Sequence, residues 1–486
     1  MRTSKEYRES LKRMRPNVYK FGELITDITV HPATRRTVEG HAQIFDAALK
    51  EEYKDLLTTT SSLTGERISR YLSIVGSPED MIANVKMKRL MFDMTGTCTG
   101  GRCVGFNAIN SMWATTYDMD KAMGTDYHER LKAWLVKAQK EDITLAGALT
   151  DAKGDRSKRP SEQKDPDLSL RIVERRDDGS IVVRGAKIMI AGAAAANEVF
   201  VLPGTGYKEE DKDYAVSFAV PRDIEGLKVI EARHPSDGRD LECGFDNPVD
   251  FGGITQGYLL FQDVHVPKER VFMAGEWKHS LNAILNFIAP YRSAIGGCVA
   301  GQGDVMVGAA ALMARANGLS EKVFREKLTQ MTVNNETTFG MGIAASVLGK
   351  LHPSGVWIPD AKLANVNKVH VATLPYETKR LAQDIAGGIA ETGCMPSCED
   401  LHSPEYGELL QKYLQGRCDG ETRARIARLI EWLTIGAGVP GCMHGGGSPD
   451  GAKLVISGLA DIEGNIKLAR KVANIKEDIP APDAKK

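Results

Sequence analysis

The chain has no excess of either charge: 63 Lys and Arg stand against 64 Asp and Glu, a net charge of −1 at pH 7. That excludes the basic footprint of a nucleic-acid binder and any polybasic attraction to an anionic membrane. Short basic runs such as Lys86-Met87-Lys88-Arg89 read as solvated faces. No apolar h-region follows the charged opening Met1-Arg2-Thr3-Ser4-Lys5, which sets aside a secretory leader. The most apolar stretch, Ile295 to Ala314, contains Gln302, Asp304 and several glycines. It reads as a buried helix rather than a membrane span. The expectation is a cytoplasmic protein without nucleic-acid or membrane partners. Also missing are a Walker loop, a dinucleotide glycine fingerprint, a Ser-His-Asp arrangement, internal repeats and low-complexity tracts.

What is present is ordinary in bulk. The 486 residues are 42% hydrophobic and 26% charged, enough for two or three packed regions. Eight cysteines are scattered along the chain without a secretory signal, so no disulfide framework is expected. Such thiols serve as buried core, metal ligands or nucleophiles.

The pattern divides the chain into a helical domain over 1–144, a β domain over 145–274 and a second helical domain over 275–486. Tyr117 to Lys140, rich in Ala, Lys, Glu and Leu, reads as helix. Leu168, Leu170 and Ile172 alternate with polar residues, and Asp178-Gly179 signals a hairpin before Ile181-Val182-Val183. Further short β runs suggest a compact antiparallel sheet domain. Long glycine-interrupted helices follow over 276–317 and 321–349. Ile426, Leu429, Ile430 and Leu433 then form one apolar stripe. The fold class is α+β, and its order of helices, antiparallel β domain and helical bundle is acyl-CoA dehydrogenase-like.

Six segments can carry chemistry. Thr150 to Pro160 crowds Asp155, Arg156 and Lys158 around Gly154, either to meet a pyrophosphate or as solvated loop. The strand ending Ala191-Gly192-Ala193-Ala194 offers backbone to a flat ligand, or packs tightly on helices. Cys98 and Cys103 flank a Gly-rich turn with a Cys-x4-Cys spacing that is not that of a zinc ribbon. Pro290, Tyr291 and the pair Gly296-Gly297 precede Cys298, where the glycines permit close approach. Gln383 with Gly387-Gly388 suits a phosphate or a neighbouring helix. Cys442 to Asp450, containing His444 and three glycines, is an anion-binding loop or a flexible turn.

Together and in this order, these segments resemble the 4-hydroxybutyryl-CoA dehydratase / 4-hydroxyphenylacetate 3-monooxygenase superfamily over nearly the whole chain. The most specific part is Asp151 to Pro160 followed by Asp165 to Gly192. The resemblance implies FAD held by Thr150, Asp155, Arg156, Ala191 and Gly192, with Gln383, Gly387 and Gly388 reaching from a partner subunit of a homotetramer. The cysteines point to the dehydratase side, where three cysteines and a histidine hold a [4Fe-4S] cluster. Cys103 and Cys298 match two positions, and Cys98 matches the third if the loop carries one extra residue.

Other family positions differ. Tyr291 stands for the ligand histidine, Ile295 for a tyrosine, Val299 for a lysine, Gln256 for a glutamate and Ala191 for a threonine. Tyr291 then either ligates iron as a phenolate or leaves an iron site free. The resemblance implies a lyase, dehydratase or double-bond isomerase, acting on 4-hydroxybutyryl-CoA or a related hydroxyacyl-CoA. Tyr291 and Gln256 would line the reaction face, and His444 would be an acid–base group unless it merely caps its loop. The alternatives are a two-component flavin monooxygenase and a non-catalytic flavin- or acyl-CoA-binding paralogue.

Overall fold

A computed structural model describes residues 1–96, 98, 102–233, 237, 256–435, 444–477 and 479. Helices α1 (Ser4–Lys12), α2 (Pro32–Ala48), α3 (Glu51–Leu57), α4 (Pro78–Thr95), α5 (Arg102–Met123) and α6 (Tyr127–Glu141) fill the N-terminal third. Local chemistry sets their ends. Thr3 and Glu6 form a reciprocal capping box at α1. Ser77 accepts from the Asp80 amide at the start of α4, and Gly96 closes that helix in the left-handed region. The helix expected over Tyr117 to Lys140 is broken at Gly124 to Asp126. There the Asp120 carboxylate accepts from the Tyr127 and His128 amides and restarts the chain as α6.

The strands up to residue 274 are β1 (Val18–Lys20), β2 (Glu23–Ile25), β3 (Thr58–Thr60), β4 (Arg67–Ser69), β5 (Leu145–Ala148), β6 (Arg171–Arg175), β7 (Ile181–Ala191), β8 (Glu198–Val201), β9 (Val216–Pro221), β10 (Leu227–Glu231), β11 (Gln256–Val266) and β12 (Val271–Ala274). They do not form one antiparallel domain. A six-stranded sheet runs β2-β1-β10-β11-β7-β6, and a separate four-stranded sheet runs β12-β9-β8-β5. Each contains one parallel pairing, β1 with β10 and β5 with β8. Periodicity shows only that a segment is a strand; the pairing is settled by distant chain, here the N-terminal segment carrying β1.

Helices α7 (Ser280–Ala316), α8 (Arg325–Val347), α9 (Ala361–Val371) and α10 (Leu374–Ala386) follow. Then come the short α11 (Gly388–Glu391), α12 (Cys398–Leu401) and α13 (Gly407–Leu414), followed by α14 (Gly420–Thr434), α15 (Pro449–Leu459) and α16 (Ile462–Val472). The stripe on α14 faces inward, with Ile430 and Leu433 fully buried. Helix α7 is long and apolar enough to cross a bilayer, but 67% of that stretch is buried inside the protein. Glycines explain the packing. A Cβ at Gly296 would fall inside 3.0 Å of the Thr338 carbonyl on α8, and one at Gly297 inside 3.0 Å of the Val85 carbonyl on α4. Arg89 clamps the same three helices through Asp304 of α7 at 2.7 Å and Glu336 of α8 at 2.6 Å. Cys398 is disulfide-bonded.

His41 on α2 is buried, and neither ring nitrogen has a hydrogen-bond partner. Burial and then the nearby Arg102 guanidinium hold its pKa well below the usual imidazole value. The folded state therefore keeps it neutral, while the unfolded chain takes up a proton below pH ~6.5. Stability should fall by about 1.4 kcal/mol per pH unit from this group as pH drops below that value. His41→Leu should remove this part of the slope in urea midpoints measured between pH ~6.5 and ~5. Equal slopes in the two proteins would refute a buried neutral imidazole.

Candidate active site at the α4–α5–α7 junction

Cys98 and Cys103 bracket the turn from α4 into α5, and Cys103 is the second residue of α5. Cys298 sits on α7 beside Gly297, the residue that lets α7 rest on the backbone of α4. Three thiols from segments some two hundred residues apart therefore face one interior region. Cys98, Cys298, Tyr291, Phe92, Ile295 and Val299 share one apolar cluster. The Cys103 thiol is pushed down, first by a hydrogen bond with Cys98 and then, against its burial, by the charge of Lys88. Burial pushes the Cys298 thiol up, with Lys88 partly opposing. Among the described residues no three His, Cys, Asp or Glu side chains stand close enough to hold a single ion. A four-iron cluster differs, because each cysteine binds a separate iron and the sulfurs lie farther apart.

Tyr291 stacks on Phe287 with ring centroids 5.5 Å apart. Its phenol is held well above its ordinary value by burial and then by the three cysteines, so in this arrangement it is protonated. Lys88 lies over the Tyr291 ring, its ammonium 5.3 Å from the centroid. It is only 3% exposed. It was missed in the sequence because it sits in a basic run. The available signal was spacing: Met81, Val85, Lys88 and Phe92 recur at intervals of three and four and mark the inner face of α4.

The loop His444 to Gly447 closes over Tyr291. A Cβ at Gly446 would come within 2.6 Å of the tyrosine ring. Its carbonyls accept hydrogen bonds from cations. Lys368 Nζ donates to Gly445 O at 2.7 Å, and Arg292 Nε donates to Gly446 O at 2.9 Å. Arg292 also donates to Asn365. The His444 side chain is exposed. Cys442 and Met443 of the same run lie outside the described residues.

The second group of expected residues lies along β7. Thr150 O accepts from the Ile188 amide at 2.8 Å, and Gln256 pairs in register with Ala191 across β11 and β7. Strand β7 is bulged here: Met189, with φ 57, is exposed, and the register shifts between Gly257 and Leu259. Gly192, with φ 67, turns the chain away. Ala193 to Ala196 are core rather than platform, and Tyr7 donates to the Ala195 carbonyl at 2.7 Å. Asp155 is engaged within its loop, accepting from the Ser157 hydroxyl at 2.7 Å and amide at 3.0 Å, which lowers its pKa. Arg156 is exposed. An open hollow of about 650 Å³ on this loop is lined by Asp155, Lys158, Gln163, Lys164, Asp165 and Leu168.

Gln383, Gly387 and Gly388 are elsewhere, at the end of α10, which packs on α7, α8 and α14. Gln383 donates to Thr434 at 3.2 Å. Gly387 and Gly388 are exposed, and nothing in the chain lies within 4 Å of a Cβ built at either.

Family models described as the N-terminal and C-terminal parts of 4-hydroxyphenylacetate 3-hydroxylase match residues 3–273 and 282–474. The chain is 39% identical to a 4-hydroxybutyryl-CoA dehydratase/vinylacetyl-CoA-Δ-isomerase of Clostridium aminobutyricum, over 98% of this chain and 99% of that one. It is 29% identical to the oxygenase component of 4-hydroxyphenylacetate 3-monooxygenase of Thermus thermophilus, over 89% and 88%. Among solved structures, an oxygen-tolerant archaeal 4-hydroxybutyryl-CoA dehydratase from N. maritimus superposes with a TM-score of 0.94 at 39% identity, covering 100% of this chain and 97% of that one. An FAD complex of the monooxygenase oxygenase component superposes with a TM-score of 0.85 over 97% and 98% at 24% identity, a likeness of fold. These matches overturn the acyl-CoA dehydrogenase-like fold class: the two-sheet middle of the chain belongs to the 4-hydroxyphenylacetate 3-monooxygenase oxygenase fold. The chain belongs to the 4-hydroxyphenylacetate 3-hydroxylase family, with relatives on its 4-hydroxybutyryl-CoA dehydratase side.

Proposed function

We propose that the protein is an FAD- and [4Fe-4S]-dependent dehydratase or double-bond isomerase acting on 4-hydroxybutyryl-CoA or a related hydroxyacyl-CoA. One observation supports the cluster most: Cys98, Cys103 and Cys298 converge on one interior region beside a buried ammonium. The Lys88 ammonium favours negative charge on these sulfurs, as the lowered Cys103 thiol reflects, and a thiolate-ligated iron–sulfur cluster would carry such charge in the same space. When bound, flavin and cluster together supply the one-electron and Lewis-acid chemistry needed to remove an unactivated hydrogen and a hydroxyl.

The chain's own residues divide the remaining work. Cys98, Cys103 and Cys298 hold the cluster, and Tyr291, beside them at the reaction face, either ligates an iron as phenolate or leaves that iron site open. Thr150, Asp155, Arg156, Ala191 and Gly192 hold the flavin. Gly387 and Gly388, bare on this chain's surface, and the half-buried Gln383 beside them meet the flavin of a neighbouring copy in a homotetramer. Gln256, opposite Ala191, is a neutral carboxamide that can orient a substrate by hydrogen bonds but cannot take its proton. His444, exposed on the loop over Tyr291, is the candidate acid–base group.

Purification without oxygen, followed by iron, sulfide and flavin analysis, tests this reading. About four iron and about four sulfide per chain are expected, with the iron lost in Cys298→Ala. Flavin without iron in the unmodified protein would overturn the cluster. It would also bring forward the monooxygenase reading that the Thermus relative supports.

A further inference from the structure

Helix α16 (Ile462–Val472) follows all the others in the chain, and none of its residues is buried. It is nevertheless amphipathic. Ile462, Ile466, Ala469 and Ala473 recur at intervals of four, three and four, which puts them on one stripe, and Leu468 and Val472 widen that stripe on one side. Ile462 is 57% exposed, Ile466 39%, Leu468 61% and Val472 88%. Single exposed aliphatic side chains are ordinary, but four on one helix face mark a contact surface. Length makes the same point. A helix of 11 residues is marginal in water without packing against something else.

The charges identify the occupant. Glu463 and Arg470 lie seven residues apart, close to two turns, and so share one flank of the stripe. Asp461 and Lys471 stand at the two ends of the helix. Arg470 also donates to the Lys476 carbonyl at 3.1 Å, which keeps its guanidinium at the C-terminal end. Both acid–base pairs are centred on Ile466 to within half a residue. A second α16 laid antiparallel across the first, about a two-fold axis at Ile466, therefore sets Glu463 against the partner's Arg470 and Asp461 against the partner's Lys471, each twice. Ile466 then meets the partner's Ile466, and Ile462 packs over the small side chain of the partner's Ala469. A parallel pair would set like charge against like. Exposed ion pairs add little energy; they choose the orientation and register, and the apolar stripe supplies the stability. An anionic lipid surface gains nothing from this segment, because Lys467, Arg470, Lys471 and Lys476 are matched by Asp461, Glu463, Glu477 and Asp478. We infer that α16 pairs with the same helix of a second copy of this chain, antiparallel and centred on Ile466. This rests on the homotetramer proposed above and deepens it by naming one of its contacts.

The test uses the full-length chain as wild type, Ile466→Glu and Ile466→Cys, with mass in solution read by analytical ultracentrifugation. Ile466→Glu should halve the wild-type mass and weaken the pairing on the order of a hundredfold or more, because two unpaired carboxylates meet at the axis. Its far-UV circular dichroism should stay close to wild type, since no residue of α16 belongs to the core of its own chain. Ile466→Cys should form a covalent dimer on mild oxidation that wild type does not form, and this result decides the matter even if the glutamate variant fails to fold. A halved mass without that cross-link would mean that α16 docks on a different surface of the second copy, and would overturn the self-pairing. An oligomeric wild type whose mass Ile466→Glu leaves unchanged, again without the cross-link, would overturn any role of α16 and leave the homotetramer standing. A monomeric wild type would overturn both readings. If that monomer bound vesicles of phosphatidylcholine and phosphatidylglycerol and Ile466→Glu did not, the occupant would be a membrane instead.

Discussion

Gly297→Ala is expected to lower the thermal midpoint and, if the proposed cluster is bound, to cost the protein its iron, although alanine is the better helix former by about 1 kcal/mol. The sign is decided by what the new methyl meets. A Cβ at 297 falls inside 3.0 Å of the Val85 carbonyl oxygen, with the Val85 carbonyl carbon at 3.1 Å and the Arg89 amide nitrogen at 3.4 Å. All three are backbone atoms of α4, so no rotamer change relieves the contact and the helix itself must shift. Overpacking of this kind costs typically ~1–3 kcal/mol and more where the neighbour is rigid, which outweighs the propensity gain. Arg89 resists the shift because it ties α4 to both α7 and α8. Cys298 is the next residue, so moving α7 from α4 also moves one thiol away from the other two. Gly308→Ala is the control on the same helix. Nothing lies within 4 Å of a Cβ at 308, so only the propensity term acts and the midpoint should rise. Calorimetry and iron content of both variants check the pair. Two shifts of the same sign would mean that the approach of α4 to α7 does not govern this region.

The same two glycines mark how far the sequence could be read. That Gly296-Gly297 permits close approach was legible from the pair itself; that one faces α8 and the other α4 was not, because the partners lie elsewhere in the chain. Helix α14 and the long α7 followed from their apolar spacing. The sheets did not, since β1 and β5 enter as parallel neighbours of strands far away. Within the site, Cys98, Cys103 and Cys298 could be picked out by residue type. Lys88 was hidden by the usual rule that charged residues face water; here it is buried against the ring of Tyr291. The hydrogen-bond partners of the His444 to Gly447 loop were not legible either. Glycines advertise free amides, but Lys368 and Arg292, remote in sequence, take up its carbonyls instead.

Lys187→Met should be among the most damaging single substitutions in the β layer, with a loss of about 3–5 kcal/mol in urea unfolding. Lys187 and Asp151 form an ion pair at 2.8 Å with side chains only 1% and 5% exposed. The ammonium also donates to the Leu149 carbonyl at 3.0 Å and the Leu202 carbonyl at 2.8 Å, and Tyr207 donates to the other Asp151 oxygen at 3.1 Å. Every strong donor and acceptor is matched, so the burial is tolerated. Methionine keeps most of the stem volume but leaves the buried carboxylate with only two neutral donors, the Tyr207 phenol and the Leu170 amide, and no counter-ion, and Gly204 packs closely against it. Adding Asp151→Asn removes the stranded charge while still accepting from Tyr207. The double variant should therefore recover most of the loss, less the two carbonyls still without a donor, each worth ~1–3 kcal/mol. If the double variant were as unstable as Lys187→Met, the cost would lie in those carbonyls and not in the charge. The consequence for the site follows from position. Asp151 opens the loop that carries Asp155 and Arg156, and Lys187 lies on β7 four residues before Ala191, so the pair fastens the two proposed halves of the flavin site to each other. Lys187→Met should then bind FAD at least tenfold more weakly even at temperatures where it stays folded, and the double variant should regain part of that affinity along with its stability.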